Sequence, residues 1–278
     1  MTAPEYITAR RVLLDALSAL QGHINHLILV GAQAVYHHTG ETELNVALST
    51  TDADVAIDTE KLPQSPEISQ LLRDVGFLPG ANPGSWLSAD AVAVDLMVAP
   101  HQSGTTKIGA RAARIPPHHI STARITRGLE PALIDNQLVV IRALDGPDNR
   151  SFKMRVAGPA ALITAKVIKI SERREQARRN LDRLREKDSL DLFRLLQAIE
   201  TPQLVAGFNS HLADPYARKI STDALNILWE LASSVDGPII QYASAAANHN
   251  HVVAPSFVVL VKQLQYELSG HITRNPDL

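Results

Sequence analysis

The apolar pattern of this 278-residue chain changes at Gly158-Pro159. Before this pair, short segments alternate apolar and polar residues, as half-buried strands do. After it, residues 160–201 contain neither glycine nor proline, and four later segments have apolar residues at roughly helical spacing: 204–212, 222–233, 238–247 and 256–268. The sequence therefore predicts an α+β protein with two domains. Residues 1–156 would form a mixed β-sheet with flanking helices, and residues 157–278 an all-helical domain.

Helix and strand signals alternate in the first part of the chain. Residues 4–21 show helical spacing and are followed by Gly22. The apolar run Leu27–Val30 ends at Gly31, and a helical pattern follows over 32–38, which predicts a strand, a glycine turn and a helix. Two further elements are predicted, a helix over 66–75 and a strand over 133–144.

Two predicted strands place aspartates on their polar face. Residues 52–58 alternate, with Asp52 and Asp54 opposite the apolar side chains. Residues 91–98 alternate in the same way, with Asp95 on the polar face. Residues two apart on a strand have backbones roughly 6.5 to 7 Å apart and side chains on the same face, so that their carboxylates can share a cation, and hard oxygen ligands suit Mg²⁺. The three aspartates are therefore candidate ligands of a two-metal site; the alternative is that they are merely solvated.

The net charge of −2 hides an uneven distribution. Residues 1–100 carry 4 Lys and Arg against 12 Asp and Glu, a net charge of −8. Residues 101–200 carry 19 against 11, a net charge of +8. Such a chain can present an acidic metal pocket beside a basic track for phosphates. Two solvated faces of opposite charge are the alternative interpretation.

Composition limits the classes of function further. The chain has no cysteine, which excludes disulfides, thiolate zinc sites, iron–sulfur clusters and cysteine nucleophiles. It has no run approaching the ~18 to 20 apolar residues of a membrane helix. Residues 1–11 lack the basic-then-apolar pattern of a signal peptide. We therefore expect a cytoplasmic protein with no membrane partner.

The order of these motifs resembles the nucleotidyltransferase fold of the polymerase-beta superfamily. The signature of that fold is a glycine turn with Ser or Gly beside it, an Asp-x-Asp strand, and a third Asp on a later strand. The matching residues are Gly31-Ala32, Asp52 with Asp54, and Asp95. The resemblance implies that the N-terminal domain is nucleotidyltransferase-like.

The resemblance continues in the second part of the chain. Lys166 in an apolar helix, an arginine-rich segment, and the motif Lys-Asp-Ser-Leu-Asp at 187–191 are similar to the AbiEii and MenT group, the nucleotidyltransferase toxins of toxin–antitoxin systems. This implies a magnesium-dependent enzyme that moves a nucleoside monophosphate from an NTP to an acceptor hydroxyl and releases pyrophosphate. The implied acceptor is the tRNA 3′ end, and the implied protein partner is a cognate antitoxin.

The family's functional residues carry over to individual positions of this sequence. The resemblance implies that Mg²⁺ is held by three residues: Asp52, Asp54 and Asp95. It implies four catalytic residues: Asp52, Asp54, Lys166 and Asp188. Nucleotide binding falls to four residues: Gly31, Ala32, Thr50 and Lys166. Thr50 carries a hydroxyl group, as the family's serine does. Lys166 would bind the triphosphate, and Asp95 would help to activate the acceptor hydroxyl.

Two positions depart from the family pattern. The second residue of the turn is Ala32, so only backbone N–H groups are available there for a phosphate. Leu48 stands where the family often has an arginine, four residues before the Asp-x-Asp motif, which leaves one phosphate contact unassigned.

The alternatives to tRNA as acceptor are a small molecule such as an aminoglycoside or a protein hydroxyl. A third alternative is a catalytically impaired nucleotide-binding module.

A shared role for Lys166 and Asp188 requires a break in the helix between them. In one continuous helix these two residues would lie about 33 Å apart. Asp188 can supply the break as an N-cap, with Asp191 at the third helical position. The alternatives are that Asp188 is only a cap and that Lys166 extends along an apolar helix face towards solvent. The arginines between them would then be ion-pair partners on an exposed helix.

Overall fold

The computed structural model describes residues 2–40, 46–177 and 186–274. These residues form an α+β protein with a mixed β-sheet, which confirms the predicted fold class. No helix in the described stretches is both long enough and apolar enough to cross a membrane.

The chain divides into two compact units. The sheet unit comprises Met1–Ala34 and Ala47–Ala157, and the helical unit comprises Val35–Val46 and Gly158–Leu278. Residues 35–46 thus belong to the helical unit although they precede most of the sheet in the chain.

Within the described part of the chain, the sheet has eight strands: β1 Leu27–Val30, β2 Asp52–Ile57, β3 Leu78–Pro79, β4 Ser85–Leu87, β5 Ala93–Val98, β6 Arg124–Ile125, β7 Asn136–Arg142 and β8 Ser151–Ala157. Their order is β3-β4-β5-β2-β1-β8-β7, and β6 pairs with β5. β1 is antiparallel to β2 and parallel to β8, and β2 is parallel to β5. The predicted strands at 27–30, 52–58, 91–98 and 133–144 are thereby confirmed, whereas β8 was not predicted.

The central strands follow from their apolar patterns. β1 is an uninterrupted apolar run and is buried at every position. β2 and β5 share one pattern, in which the first and third residues are partly exposed and the other four are buried. The partly exposed positions include Asp52, Asp54 and Asp95. Alternation therefore buries one face of each strand and places the carboxylates on the other, near the strands' first residues.

Three helices begin in the sheet unit: α1 Pro4–Ala19, α2 Gly31–Thr39 and α3 Ile68–Asp74. α1 buries its apolar side chains, among them Val12, Leu13 and Leu17. α3 begins later than the predicted residue 66, because the Glu67 carboxylate caps it by accepting from the backbone N–H groups of Ser69 and Gln70.

The helical unit contains six further helices in its described part: α4 Pro159–Ala177, α5 Lys187–Ala198, α6 Thr201–Ala213, α7 Ala217–Leu231, α8 Pro238–Ala246 and α9 Val253–Arg274. Each of the four predicted helical segments after residue 200 falls within or overlaps one of these helices. In α5 the apolar side chains are buried, including Leu192, Leu195 and Leu196. These residues are spaced three and four apart, so they lie on one face of the helix.

The predicted break between Lys166 and Asp188 is confirmed, but the predicted capping role of Asp188 was wrong. Lys166 Nζ and Oδ1 of Asp188 are 2.8 Å apart, which one continuous helix does not allow, and α5 begins at Lys187 with Glu186 as its N-cap. The Asp188 side chain bonds to Lys166 instead of to the first N–H groups of its own helix. Four arginines of the predicted basic segment lie outside the described residues: Arg178, Arg179, Arg183 and Arg185.

Candidate functional site

Asp54 and Asp95 lie side by side in the sheet. They are direct partners in the parallel register of β2 and β5, and the same register pairs Asp52 with Ala93. Because side chains alternate along a strand and register partners share a face, the three carboxylates lie on one face of the sheet. The side chains of Asp54 and Asp95 are 12% and 15% exposed, which makes their negative charges costly without a cation.

Gly31 is required for the position of Asp54. The last residue of β1, Val30, is the register partner of Asp54, and Gly31 follows with a φ of +67°. A Cβ atom at residue 31 would lie 2.1 Å from Oδ2 of Asp54. Any other residue here would both adopt a strained backbone conformation and displace the carboxylate. The glycine turn and the acidic strand therefore form one structural unit.

Polar side chains from two elements orient Asp52. Thr50 is buried, and its hydroxyl donates to Oδ1 of Asp52 at 2.8 Å. The buried Gln33 in α2 donates to the Asp52 backbone carbonyl at 3.2 Å, and its own carbonyl accepts from Arg10 Nε at 2.8 Å. Ala32, beside it, is also buried. The hydroxyl of Thr50 thus serves Asp52 directly, and Gln33 and Arg10 hold the start of β2.

Arg124 is a cationic partner of the acidic face that no sequence pattern indicated. Its Nη1 lies 2.5 Å from Oδ2 of Asp95, and its Nη2 lies 3.8 Å from Oδ1 of Asp54. Burial disfavours the charged guanidinium, but the negative charges of Asp95 and Asp54, the hydrogen bond to Asp95 and the charge of Asp52 outweigh it and raise the pKa of Arg124. The guanidinium is therefore the counter-ion of this acidic face.

The acidic face carries carboxylate oxygens, the kind of ligand that Mg²⁺ prefers. Oδ1 of Asp95 is buried and has no hydrogen-bond partner among the described residues. Within those residues, no group of three or more His, Asp or Glu side chains is arranged to hold a metal ion as it stands. Mg²⁺ usually takes only one or two carboxylates and completes its shell with water and substrate phosphates. Asp52 and Asp54 fit that smaller requirement, while Asp95 faces Arg124.

A second set of charged residues lies in the helical unit. Lys166 Nζ donates to Oδ1 of Asp188 at 2.8 Å and to Oδ2 of Asp191 at 2.6 Å. All three residues are buried. Burial disfavours the ammonium group, but the two carboxylates outweigh it and raise the pKa of Lys166. Burial disfavours the Asp188 carboxylate as well, and Lys166, Lys169 and Arg173 outweigh that effect and lower its pKa.

Lys169 and Arg173 are the solvent-accessible cations of this set, whereas Lys166 is buried. Lys169 Nζ lies 3.4 Å from Oδ1 of Asp188, and Arg173 bonds to Oδ2 of the same carboxylate. The side chains of Lys169 and Arg173 are 42% and 29% exposed, compared with 5% for Lys166. Lys166 and Asp188 thus form a buried ion pair, and the contact of Lys166 with a triphosphate stays a prediction.

The residues selected from the sequence fall into two groups. The sheet unit brings five of them together at the acidic face: Gly31, Thr50, Asp52, Asp54 and Asp95. The helical unit brings Lys166 to Asp188 and adds Asp191, which the sequence had indicated only as a residue of the helix start. No protein-family model and no curated protein matches this chain.

Proposed function

We propose that this protein is a magnesium-dependent nucleotidyltransferase that moves a nucleoside monophosphate from an NTP to an acceptor hydroxyl. One observation carries the proposal, the grouping of three aspartates on one face of the sheet. Asp54 and Asp95 are register partners, and Asp52 lies two residues before Asp54 on the same face. The turn at residue 31 beside them accommodates only glycine. A cluster of acidic groups on a sheet gains nothing structurally from this proximity, because like charges repel. A reaction that depends on a bound divalent cation would explain why these carboxylates lie close together.

The reaction assigned to this face is an in-line displacement at the α-phosphorus. When bound, Mg²⁺ would neutralise charge on the phosphates and favour departure of pyrophosphate. Asp52 and Asp54 would hold the ion, with Thr50 fixing the Asp52 carboxylate. The acceptor oxygen bonds to the α-phosphorus as the bond to the β-phosphate oxygen breaks. Oδ1 of Asp95, which is buried and has no partner among the described residues, would accept the hydroxyl proton.

The remaining assignments follow the resemblance. α2 begins at Gly31, so backbone N–H groups of the first helical turn, including that of Ala32, are available to a phosphate. We propose the tRNA 3′ end as acceptor, because residues 101–200 carry a net charge of +8 and a polyanion requires cations along its path. In the same proposal the protein is the toxin of a toxin–antitoxin pair, with an antitoxin protein as partner.

A catalytically impaired nucleotide-binding module is the second candidate. Two departures from the family pattern favour it, Ala32 and Leu48. A third observation favours it as well: Arg124 pairs with Asp95, one of the three proposed metal ligands. Such a module would bind a triphosphate and transfer nothing.

Incubation with each α-labelled NTP, Mg²⁺ and total tRNA tests the proposal. We expect label on tRNA with one or more NTPs, and loss of that label in Asp54→Asn. Asp90→Asn is the matched control, because Asp90 is an aspartate of the same unit whose side chain is 64% exposed. Label that persists in Asp54→Asn contradicts the proposal. If the protein binds triphosphate but transfers label to no acceptor, the impaired module is the correct interpretation. If label appears on a small molecule or a protein, that molecule and not tRNA is the acceptor.

A further inference from the structure

We infer that Arg124 is an internal counter-ion that competes with the divalent cation for Asp54 and Asp95 and is released when metal and triphosphate bind together. The inference rests on the proposed function and deepens it. It concerns the regulation of the acidic face, where metal alone would bind weakly and metal with triphosphate would bind strongly.

The contacts of Arg124 carry the first step. Its two terminal nitrogens face one oxygen of each register partner, Oδ2 of Asp95 at 2.5 Å and Oδ1 of Asp54 at 3.8 Å. A metal ion held by Asp52 and Asp54 would lie beside this guanidinium, because the three carboxylates share one face of the sheet. The positive charges of the guanidinium and the ion repel, and both compete for the Asp54 carboxylate. Metal binding to Asp54 therefore favours movement of Arg124 away from the two aspartates.

The surroundings of Arg124 allow such a movement. Among the described residues, its guanidinium also contacts the sulfur of Met97, at 3.2 Å from Nη2. Thioether sulfur is a weak acceptor, so this contact adds little. The Arg124 side chain is 28% exposed, and β6, which carries it, has only two residues. Release therefore breaks one strong ion pair and few other contacts.

The triphosphate supplies the new partner. A guanidinium forms bidentate hydrogen bonds with phosphate as well as with carboxylate. An NTP that arrives with Mg²⁺ brings negative charge to the acidic face at the moment when the metal takes over the carboxylates. Arg124 then exchanges Asp95 for a phosphate and provides the contact that Leu48 leaves unassigned. Metal and triphosphate thereby bind cooperatively through one side chain.

Calorimetric titration of the full chain with Mn²⁺ tests this exchange without any measurement of activity. We expect Arg124→Gln to bind Mn²⁺ about tenfold or more tightly than the wild type. A non-hydrolysable NTP analogue should strengthen Mn²⁺ binding in the wild type and do so less in Arg124→Gln. Arg111→Gln is the matched control, because Arg111 bonds to Asn82 and not to an aspartate of the acidic face. It should bind Mn²⁺ as the wild type does.

The outcomes separate failure of the inference from failure of the proposed function. If the wild type binds Mn²⁺ and Arg124→Gln binds it equally or more weakly, the inference is wrong and the proposed function stands. If neither protein binds Mn²⁺ with or without the analogue, the proposed function fails and the inference with it. Should Arg124→Gln not fold, Arg124→Lys decides, because one ammonium group cannot bridge both carboxylates. Its Mn²⁺ affinity should exceed that of the wild type, and equal affinity overturns the inference.

Discussion

Asp54 and Asp95 are paired in register on parallel strands, and the guanidinium of Arg124 lies close to both carboxylates. Neighbouring strands are about 4.8 Å apart, so two carboxylates in this position repel each other unless a cation lies at both. The guanidinium of Arg124 supplies a cation that lies close to both carboxylates.

Gly31→Ala should destabilise the protein by about 3 kcal/mol, because backbone strain and steric overlap add. The new Cβ would lie 2.1 Å from the Asp54 carboxylate, and the φ of +67° is unfavourable for alanine. Gly109→Ala is the control, since Gly109 has a φ of +75° and no atom within 4 Å of its Cβ position. It should cost about 1 to 2 kcal/mol. Urea denaturation measures both, and equal losses would show that Gly31 does not restrict Asp54.

Thr50→Val should weaken Mn²⁺ binding about tenfold, because removal of a group that orients a metal ligand typically costs 10- to 100-fold. Valine keeps the shape of threonine but removes the donor to Oδ1 of Asp52. Thr50→Ser keeps the hydroxyl and should restore most of the affinity. Calorimetry provides the measurement. Wild-type affinity in Thr50→Val would mean that Asp52 is not a ligand or does not need this hydrogen bond.

Lys166→Met should destabilise the protein by about 3 to 5 kcal/mol, since it leaves buried carboxylates without their main counter-ion. Asp188 and Asp191 have side chains only 6% and 2% exposed. Lys169→Met is the control, because its longer ion pair with Asp188 is partly exposed and should contribute less than about 1 kcal/mol. The free energy of unfolding without nucleotide is the measured quantity. A stable Lys166→Met protein would free Lys166 for a role in binding alone.

The stability of the sheet unit should decrease as the pH falls from 7 to 5. Burial lowers the pKa of His23 below its ordinary value of 6.5, with His118 and His26 adding to the effect and the bond to Pro66 and the charge of Glu67 opposing it. The unfolded chain therefore takes up a proton that the folded chain resists, and stability is lost below pH 6.5.

His23→Gln provides the comparison for this pH dependence. Glutamine can still donate to the Pro66 carbonyl, which accepts from His23 Nε2 at 2.8 Å, but it does not titrate. Its melting temperature should change less between pH 7 and 5. Glu67 does not interfere in this range. Burial favours its protonated form, but hydrogen bonds from Ser69, His119 and Gln70 outweigh burial and lower its pKa to about 2. An unchanged pH slope in His23→Gln would contradict the role of His23.

The sequence was most informative where one face of an element is buried. Asp52 and Asp54 could be placed on the polar face of β2 because Ala53 and Val55 alternate with them. The strand β8 escaped prediction although Phe152, Met154 and Val156 alternate with charged residues. Two cations in a seven-residue segment obscure the apolar signal that a strand prediction depends on.

The contacts within the two groups were less predictable. Arg124 lies 29 positions from Asp95 in the chain, and no local pattern distinguishes it from the other arginines of residues 101–200. The partnership of Lys166 with Asp188 was expected only if the helix broke, and the pattern assigned the wrong residue to the cap. Side-chain pairing depends on which strands and helices become neighbours in the fold, and apolar spacing does not specify this.

The most direct test is a crystal structure of the protein with Mn²⁺ and a non-hydrolysable NTP analogue. We predict an anomalous peak about 2.0 to 2.2 Å from carboxylate oxygens of Asp52 and Asp54, with the triphosphate bound to the same ion and Arg124 detached from Asp95. A metal peak away from these aspartates, or a bound triphosphate with Arg124 still on Asp95 and no metal beside it, would contradict the account.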